Sequence, residues 1–195
     1  MSKIDHHIRS FGMSGMMISD DLKSVETKYG LELGHVMRGD IASQTEYYPQ
    51  FENAVKVEAF QMAKHYELFY CLEQSIRKLI TEALHEGEGA AWWDSGKIPP
   101  AIVNDVRDRV RKEEDSGVTP RSDAPIDYTT FGELAVIITS NWELFRTIFS
   151  SRRAVEKVMN SLNVLRGPIA HCCPLSEDEV DRLHLTVKDW FRMIG

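Results

Sequence analysis

Residues 49–86 read PQFENAVKVEAFQMAKHYELFYCLEQSIRKLITEALHE and carry the longest regular pattern in the chain. Apolar residues recur in it at steps of three or four, from Phe51 to Ala83, which is the spacing of one face of an α-helix. Pro49 suits the first helical turn, where a missing N–H leaves no hydrogen bond unmade, and Gly87 favours a helix end. We therefore predict a helix over residues 49–86. It would be about 55 Å long, which allows for a kink within it.

The rest of the C-terminal part is also helical in pattern. The residues that favour helix starts are Pro100, Thr130 with Glu133, Asn141, Ser151, and Ser176 with Glu179. The two Ser/Thr-x-x-Glu pairs predict capping boxes, in which each side chain bonds the other residue's backbone N–H. Amphipathic helices joined by loops bury their apolar faces against one another. The predicted fold class is therefore all-α, a helical bundle.

The first 48 residues are less regular, because glycines interrupt any long period. Ser19 followed by two aspartates suits the start of a short helix, whereas YGLELGHV at 29–36 equally suits a short strand. We predict that residues 1–48 are an N-terminal extension, irregular or with short helices, and that residues 49–195 form one helical domain. Charges and histidines occupy the place where a signal peptide has its apolar stretch, so we expect no secretion signal.

Composition places the chain among ordinary globular proteins. Of its 195 residues, 43% are hydrophobic and 27% charged, and the formal net charge is −7. No apolar run approaches the roughly 18 residues that a membrane span needs, so we expect no membrane association. The three cysteines cannot all pair within one chain, which favours a reducing, cytoplasmic location. Residues 138–171 hold five Lys and Arg against two Glu. That excess indicates either a polyanion site or a solvated helix face.

Residues 165–172, LRGPIAHC, combine two residues that together suit RNA chemistry. In an unbroken helix Arg166 and His171 would lie about 140° apart around the axis. Pro168 lacks an N–H and disfavours helical geometry at Gly167, so we expect a break or kink that brings the two side chains together. Imidazole transfers protons near neutral pH, and guanidinium binds phosphate through a planar fork. Such a pair suits RNA cleavage by the 2′-hydroxyl without a metal. The spacing alone often occurs by chance and favours a structural role for His171, in capping or packing.

Three stretches in a fixed order resemble the HEPN superfamily (higher eukaryote and prokaryote nucleotide-binding domains). They are YELFYCLEQSIRKLI at 66–80, SGVTPRSDAPIDYTTFGELAVIITSNWELF at 116–145 and VMNSLNVLRGPIAHCCPLSEDEV at 158–180. The resemblance is closest to the subgroup that forms the C-terminal domain of a eukaryotic nuclear mRNA-surveillance endoribonuclease.

This resemblance implies a HEPN-like helical bundle that forms a homodimer. Its signature, an Arg and a His separated by four to six residues, lines a cleft between the protomers and falls here on Arg166 and His171. The resemblance implies that Arg166 stabilises the phosphate and that His171 acts as general acid or base, with no metal and no cofactor. In the family the residue after the arginine is commonly Asn, Asp or His, whereas this chain has Gly167.

Other side chains are candidates for supporting roles. Glu73 lies in the first family-like stretch, where related domains often carry an acidic residue, and its alternative role is an ion pair with Arg77. Arg152, Arg153 and Lys157 are candidate contacts for RNA phosphates, or else form the solvated face of their helix. Zinc binding by His171, Cys172, Cys173 and His184 is disfavoured, because adjacent cysteines are awkward ligands for one tetrahedral site.

The sequence therefore leaves two functions open. The first is a metal-independent endoribonuclease with an Arg-x4-His site at a homodimer interface, acting as a toxin, antiphage or RNA-surveillance effector. The alternative is a non-catalytic HEPN module that binds RNA or assembles with a protein. In either case residues 1–48 are the candidate segment for binding a protein partner or antitoxin.

Overall fold

The computed structural model describes Leu22 and residues 50–194. By its internal contacts the chain divides into two compact units, Met1–Asn53 and Ala54–Gly195. The helix predicted after Ser19, the alternative strand at 29–36 and Pro49 lie outside the described residues.

Residues 50–194 are built mainly from α-helices. They are α1 (Asn53–Glu88), α2 (Pro100–Asp115), α3 (Phe131–Ser140), α4 (Trp142–Phe145), α5 (Arg152–Ala170) and α6 (Glu177–Met193). Short 3-10 helices cover Trp92–Asp94 and Pro125–Tyr128. Within residues 50–194 the β structure is limited to an isolated antiparallel bridge between Phe149 and Ile194. The all-α prediction is confirmed.

Helix α1 differs from its prediction at both ends and in what it buries. It begins at Asn53, after a turn at residues 50–52, and runs unbroken for 36 residues. Gly89 follows it with a φ of +81°, and its N–H donates to the carbonyl of His85 at 2.8 Å. The predicted apolar face is buried only from Phe69 onward, and Val55 remains 56% exposed. Helix α1 therefore contributes to the core only through its second half.

The core lies around α3, which packs on α5, and α5 packs in turn on α6. Leu134, Ile137 and Ile138 on α3 are fully buried. The predicted capping box starts this helix: the Thr130 hydroxyl accepts from the N–H of Glu133, whose carboxylate accepts from the N–H of Thr130 at 2.6 Å. Satisfying these N–H groups lets an apolar helix begin at the edge of the core.

Two predicted caps are wrong in detail although the helices start where expected. The Asn141 side chain does not cap α4 but donates to the carbonyls of Lys97 and Ile137, and α4 has a single turn. Ser176 precedes α6 without a side-chain cap, so the second capping box does not form. By contrast, the Ser151 hydroxyl caps α5 by accepting from the N–H of Ala154. Among the described helices, none is both long and apolar enough to cross a bilayer.

Candidate functional site

The break predicted at Gly167 and Pro168 does not occur. Helix α5 continues through both residues to Ala170. Gly167 makes this possible, because it has no Cβ to meet the proline ring when the preceding residue is helical. The hydrogen bond lost at Pro168 is the one to the carbonyl of Val164, a residue on the exposed side of the helix where water can replace it.

The chain turns sharply directly after α5. His171 occupies the C-cap, and its N–H donates to the carbonyls of Gly167 and Pro168. Cys172 has a left-handed φ of +56°, and the N–H of Cys173 donates back to the carbonyl of Pro168 at 2.8 Å. This return bond around a left-handed residue is that of a Schellman helix end. It leaves the His171 side chain exposed at the tip of the helix.

Arg166 is oriented by an acidic residue from α1. Its Nε donates to Glu73 Oε2 at 3.3 Å, and its side chain is 38% exposed. The other carboxylate oxygen of Glu73 accepts from Arg77 Nη2 at 2.6 Å. Arg77 also donates to the carbonyls of Ile126 and Thr129. The ion pair with Arg77, the alternative role of Glu73, is therefore present, and the same carboxylate also joins Arg166 of α5 to α1. The supporting role of Glu73 in a site stays a prediction.

Within one protomer Arg166 and His171 share a helix end but do not converge. Because α5 stays helical through Ala170, the two residues are separated by about 140° around the axis and about 7.5 Å along it. Among the described residues, no hydrogen bond or ion pair joins the two side chains. A bend in the chain therefore does not bring Arg166 and His171 of one protomer together.

The segment after Arg166 runs back along α1. Arg166 contacts Glu73, whereas Pro174 and Leu175, further along, share a cavity of about 310 Å³ with Met62 on α1. Moving forward from residue 166 to 175 therefore means moving backward along α1. His171 lies on the chain between these two contact points.

The same cavity holds a histidine that the sequence did not indicate. Burial, and then the neighbouring charges of His184 and Lys64, lower the pKa of His65 below its ordinary value of 6.5. His65 and His184 lie on α1 and α6, so no spacing rule could have paired them. Within the part of the chain that is described, no group of three or more His, Cys, Asp or Glu is placed to hold a metal ion.

The basic residues at the start of α5 are remote from Arg166. Arg152 pairs with Glu156 at 3.0 Å, and Arg153 and Lys157 are exposed. Arg153 precedes Arg166 by about 20 Å along the helix, and Lys157 projects from the side opposite Arg166. One protomer therefore does not gather these side chains around Arg166.

Comparison with known proteins identifies the domain. A protein-family model described as Swt1-like HEPN matches residues 67–195, about two thirds of the chain. The matched residues include Glu73 and Arg166. The chain belongs to the Swt1-like HEPN family, and the predicted resemblance is confirmed. Family membership supports a nuclease or RNA-related role in general terms. No curated protein and no solved structure matches the chain.

Proposed function

We propose that this protein is a metal-independent endoribonuclease that uses Arg166 and His171 from two copies of the chain. The observation that carries the proposal is the contact between Arg166 Nε and Glu73, which fixes one edge of the guanidinium. Nη1 and Nη2 of Arg166 donate to no other residue that the structure describes. Two terminal amino groups without a described partner suit the two oxygens of a phosphodiester.

In the proposed reaction the 2′-hydroxyl of the ribose attacks the adjacent phosphodiester. One His171 accepts the proton of the 2′-hydroxyl as the new 2′-O–P bond forms. The bond from phosphorus to the 5′-oxygen breaks, and the leaving oxygen takes a proton from the second His171. Arg166 stabilises the extra negative charge on the phosphoryl oxygens. The products are a 2′,3′-cyclic phosphate and a 5′-hydroxyl end.

A homodimer would supply what one protomer does not. His171 is exposed at the tip of α5 and is separated from Arg166 by about 140° around the helix. A two-fold axis near this tip would bring both copies of each residue to one cleft. Arg152, Arg153 and Lys157 would then bind the RNA backbone outside the cleft.

The test is cleavage of a mixed RNA by the purified full chain in EDTA. We expect cyclic phosphate ends from the wild type and at least a 100-fold slower reaction from His171→Ala, because general acid–base groups contribute that much. Arg166→Ala should be similarly slow. His85→Ala, an exposed histidine at the end of α1, is the matched control and should cleave at the wild-type rate. Equal cleavage by His171→Ala, or none by the wild type, would contradict the proposal.

A non-catalytic module is the second candidate, and Gly167 favours it. Family members commonly have a polar residue at this position, and glycine has no side chain to orient His171. Apart from the adjoining ring of Pro168, a Cβ added at Gly167 would meet nothing within 4 Å, so there is space for the side chain of asparagine. If the protein binds RNA intact and Gly167→Asn gains cleavage, the natural protein is the binding module.

The cellular setting belongs to the same proposal. We assign the protein to the cytoplasm, as a toxin, antiphage or RNA-surveillance effector. Residues 1–48 are the proposed segment for an antitoxin or another protein partner, which co-purification with and without that segment would test.

A further inference from the structure

We propose that Tyr66 and Tyr70 form a stacking platform for unpaired RNA bases beside Arg166, so that the substrate is single-stranded RNA. This inference rests on the proposed function, since it concerns the RNA whose phosphate Arg166 binds. It assigns a role to two side chains that the core does not explain.

The two tyrosines are exposed together on α1. Tyr66 is 60% exposed and Tyr70 is 56% exposed, and they lie one helical turn apart. Their ring centroids are 6.3 Å apart and their planes are tilted by 35°. The two neighbouring rings leave much of their surface in solvent, where it is available to a ligand.

Their position on α1 places them next to the candidate site. Around the helix axis Tyr66 and Tyr70 lie about 20° and 60° from Glu73, and along it about 10 Å and 4.5 Å before it. Glu73 binds Arg166, and from Arg166 the chain runs back along α1 past the level of the tyrosines to Pro174. The exposed His171 lies on that stretch. The rings and the two signature residues therefore share one end of the bundle.

The chemistry of this surface matches a nucleotide chain. Arg166 provides a charged group for the phosphate, and the aromatic rings provide faces for the bases that follow it. In a duplex the bases are stacked inside and cannot reach the rings, so the platform selects unpaired RNA.

A second copy of the chain is the competing occupant of this surface, since Val55, Ala59 and Ala63 are exposed on the same side of α1 nearer its start. The group beside the rings argues for RNA instead. Nη1 and Nη2 of Arg166 donate to no residue that the structure describes, and burying them unpaired in the apolar, charge-depleted centre of a protein interface would be unfavourable. An RNA chain supplies a phosphate for the guanidinium and bases for the rings.

The test measures binding separately from cleavage. Fluorescence anisotropy at fixed salt gives the Kd of the full chain carrying His171→Ala for a labelled single-stranded RNA 10-mer and for a duplex of the same sequence. Into this background we introduce Tyr66→Leu, Tyr70→Leu, the two corresponding Phe variants, and Phe191→Leu. Phe191 is the matched control, since it is 55% exposed and lies on α6.

We expect each Tyr→Leu change to weaken single-stranded binding about tenfold, while the Phe variants and Phe191→Leu bind like the parent. The duplex should bind more weakly than the single strand, and the Tyr→Leu changes should not alter its Kd. The inference is overturned if Tyr→Leu matches Phe191→Leu, if single-stranded RNA does not bind, or if light scattering shows that Tyr→Leu acts by dissociating a dimer. Should tyrosine-dependent binding occur in a protein that never cleaves RNA, the proposed catalysis fails and the platform stands.

Discussion

Cys172 carries a backbone conformation that glycine usually occupies. It is the only non-glycine residue with a positive φ among those described, at +56°. For an L-residue with a side chain this region costs about 1–2 kcal/mol, and glycine avoids that cost but gains freedom in the unfolded chain. The sharp turn after His171 is therefore made at some expense in stability.

Replacing Cys172 tests this directly. We expect Cys172→Gly to be about 0.5–1 kcal/mol more stable than Cys172→Ala, as measured by urea unfolding. The control pair is Cys173→Gly and Cys173→Ala, where the backbone is not left-handed and glycine should be the less stable of the two. Equal stability of the two Cys172 variants would mean that the turn is not strained.

Glu73 links two helices through a largely buried carboxylate. Its side chain is 14% exposed, and that of Arg77 is 12% exposed. Glu73→Gln would leave Arg77 with weakened pairing, so we expect a loss of about 1.5–3 kcal/mol in the free energy of unfolding. Glu67→Gln, on the exposed side of α1, should change it by less than about 0.5 kcal/mol. A loss no greater than that of the control would show that the Glu73 contacts contribute little.

The continuity of helix α5 depends on having a glycine, Gly167, directly before Pro168. An alanine at residue 167 would improve helix propensity by about 1 kcal/mol, but its Cβ would meet the ring of Pro168. We therefore expect Gly167→Ala to stabilise the Pro168→Ala protein by about 1 kcal/mol and to give no gain in the wild type. Chemical unfolding of the four proteins in a double-mutant cycle measures the coupling, and additive effects would refute the explanation.

The start of α3 is tied to α2 by a two-pronged ion pair. Arg109 donates from Nη1 and Nη2 to the two oxygens of Glu133 at 2.7 and 2.8 Å, and Nη1 also donates to the carbonyl of Tyr128. Burial raises the pKa of Glu133, but hydrogen bonds from Arg109 and Thr130 outweigh it, so the pKa lies below the ordinary value of 4.5. The same hydrogen bond raises the pKa of Arg109.

The lowered pKa of Glu133 makes the stability of the fold depend on pH. Because the folded pKa of Glu133 is lower than the unfolded one, its stabilisation is present above about pH 4.5 and is lost as the pH falls through the folded value. We expect Glu133→Gln to lose about 1.5–3 kcal/mol at pH 7 in urea unfolding, and we expect this loss to shrink as the pH is lowered from 7 to below 4.5. Glu114→Gln, exposed on α2, should follow the wild-type profile. A constant difference for Glu133→Gln across this range would contradict the assignment.

We expect the protein to act as a homodimer. If each cleft needs residues from two copies, light scattering should give twice the chain mass of 22.3 kDa, and specific activity should fall on dilution as the pair dissociates. Full specific activity from a monomer would refute the shared cleft.

Much of the helical order follows from local patterns. Pro100 and the Thr130–Glu133 capping box mark real helix starts, and so does Ser151, because these signals act within one turn of the chain. The expected break at Pro168 was wrong. The rule that disfavours a helical residue before proline rests partly on a Cβ, which Gly167 lacks. The role of Arg166 and His171 as a catalytic pair stays a prediction, and so does their assembly in a shared cleft.

The sequence alone determined the set of helices and the caps at Thr130 and Ser151, since periodicity and capping depend on neighbours within about four residues. It also indicated the family. The tertiary structure alone decided the contacts between distant segments. It brought Glu73 to Arg166 across 93 residues and placed the charge of His184 near His65. It also buried α1 only from Phe69 onward. Such contacts depend on how helices pack, and helices with the same periodicity pack in several ways until their side chains select one.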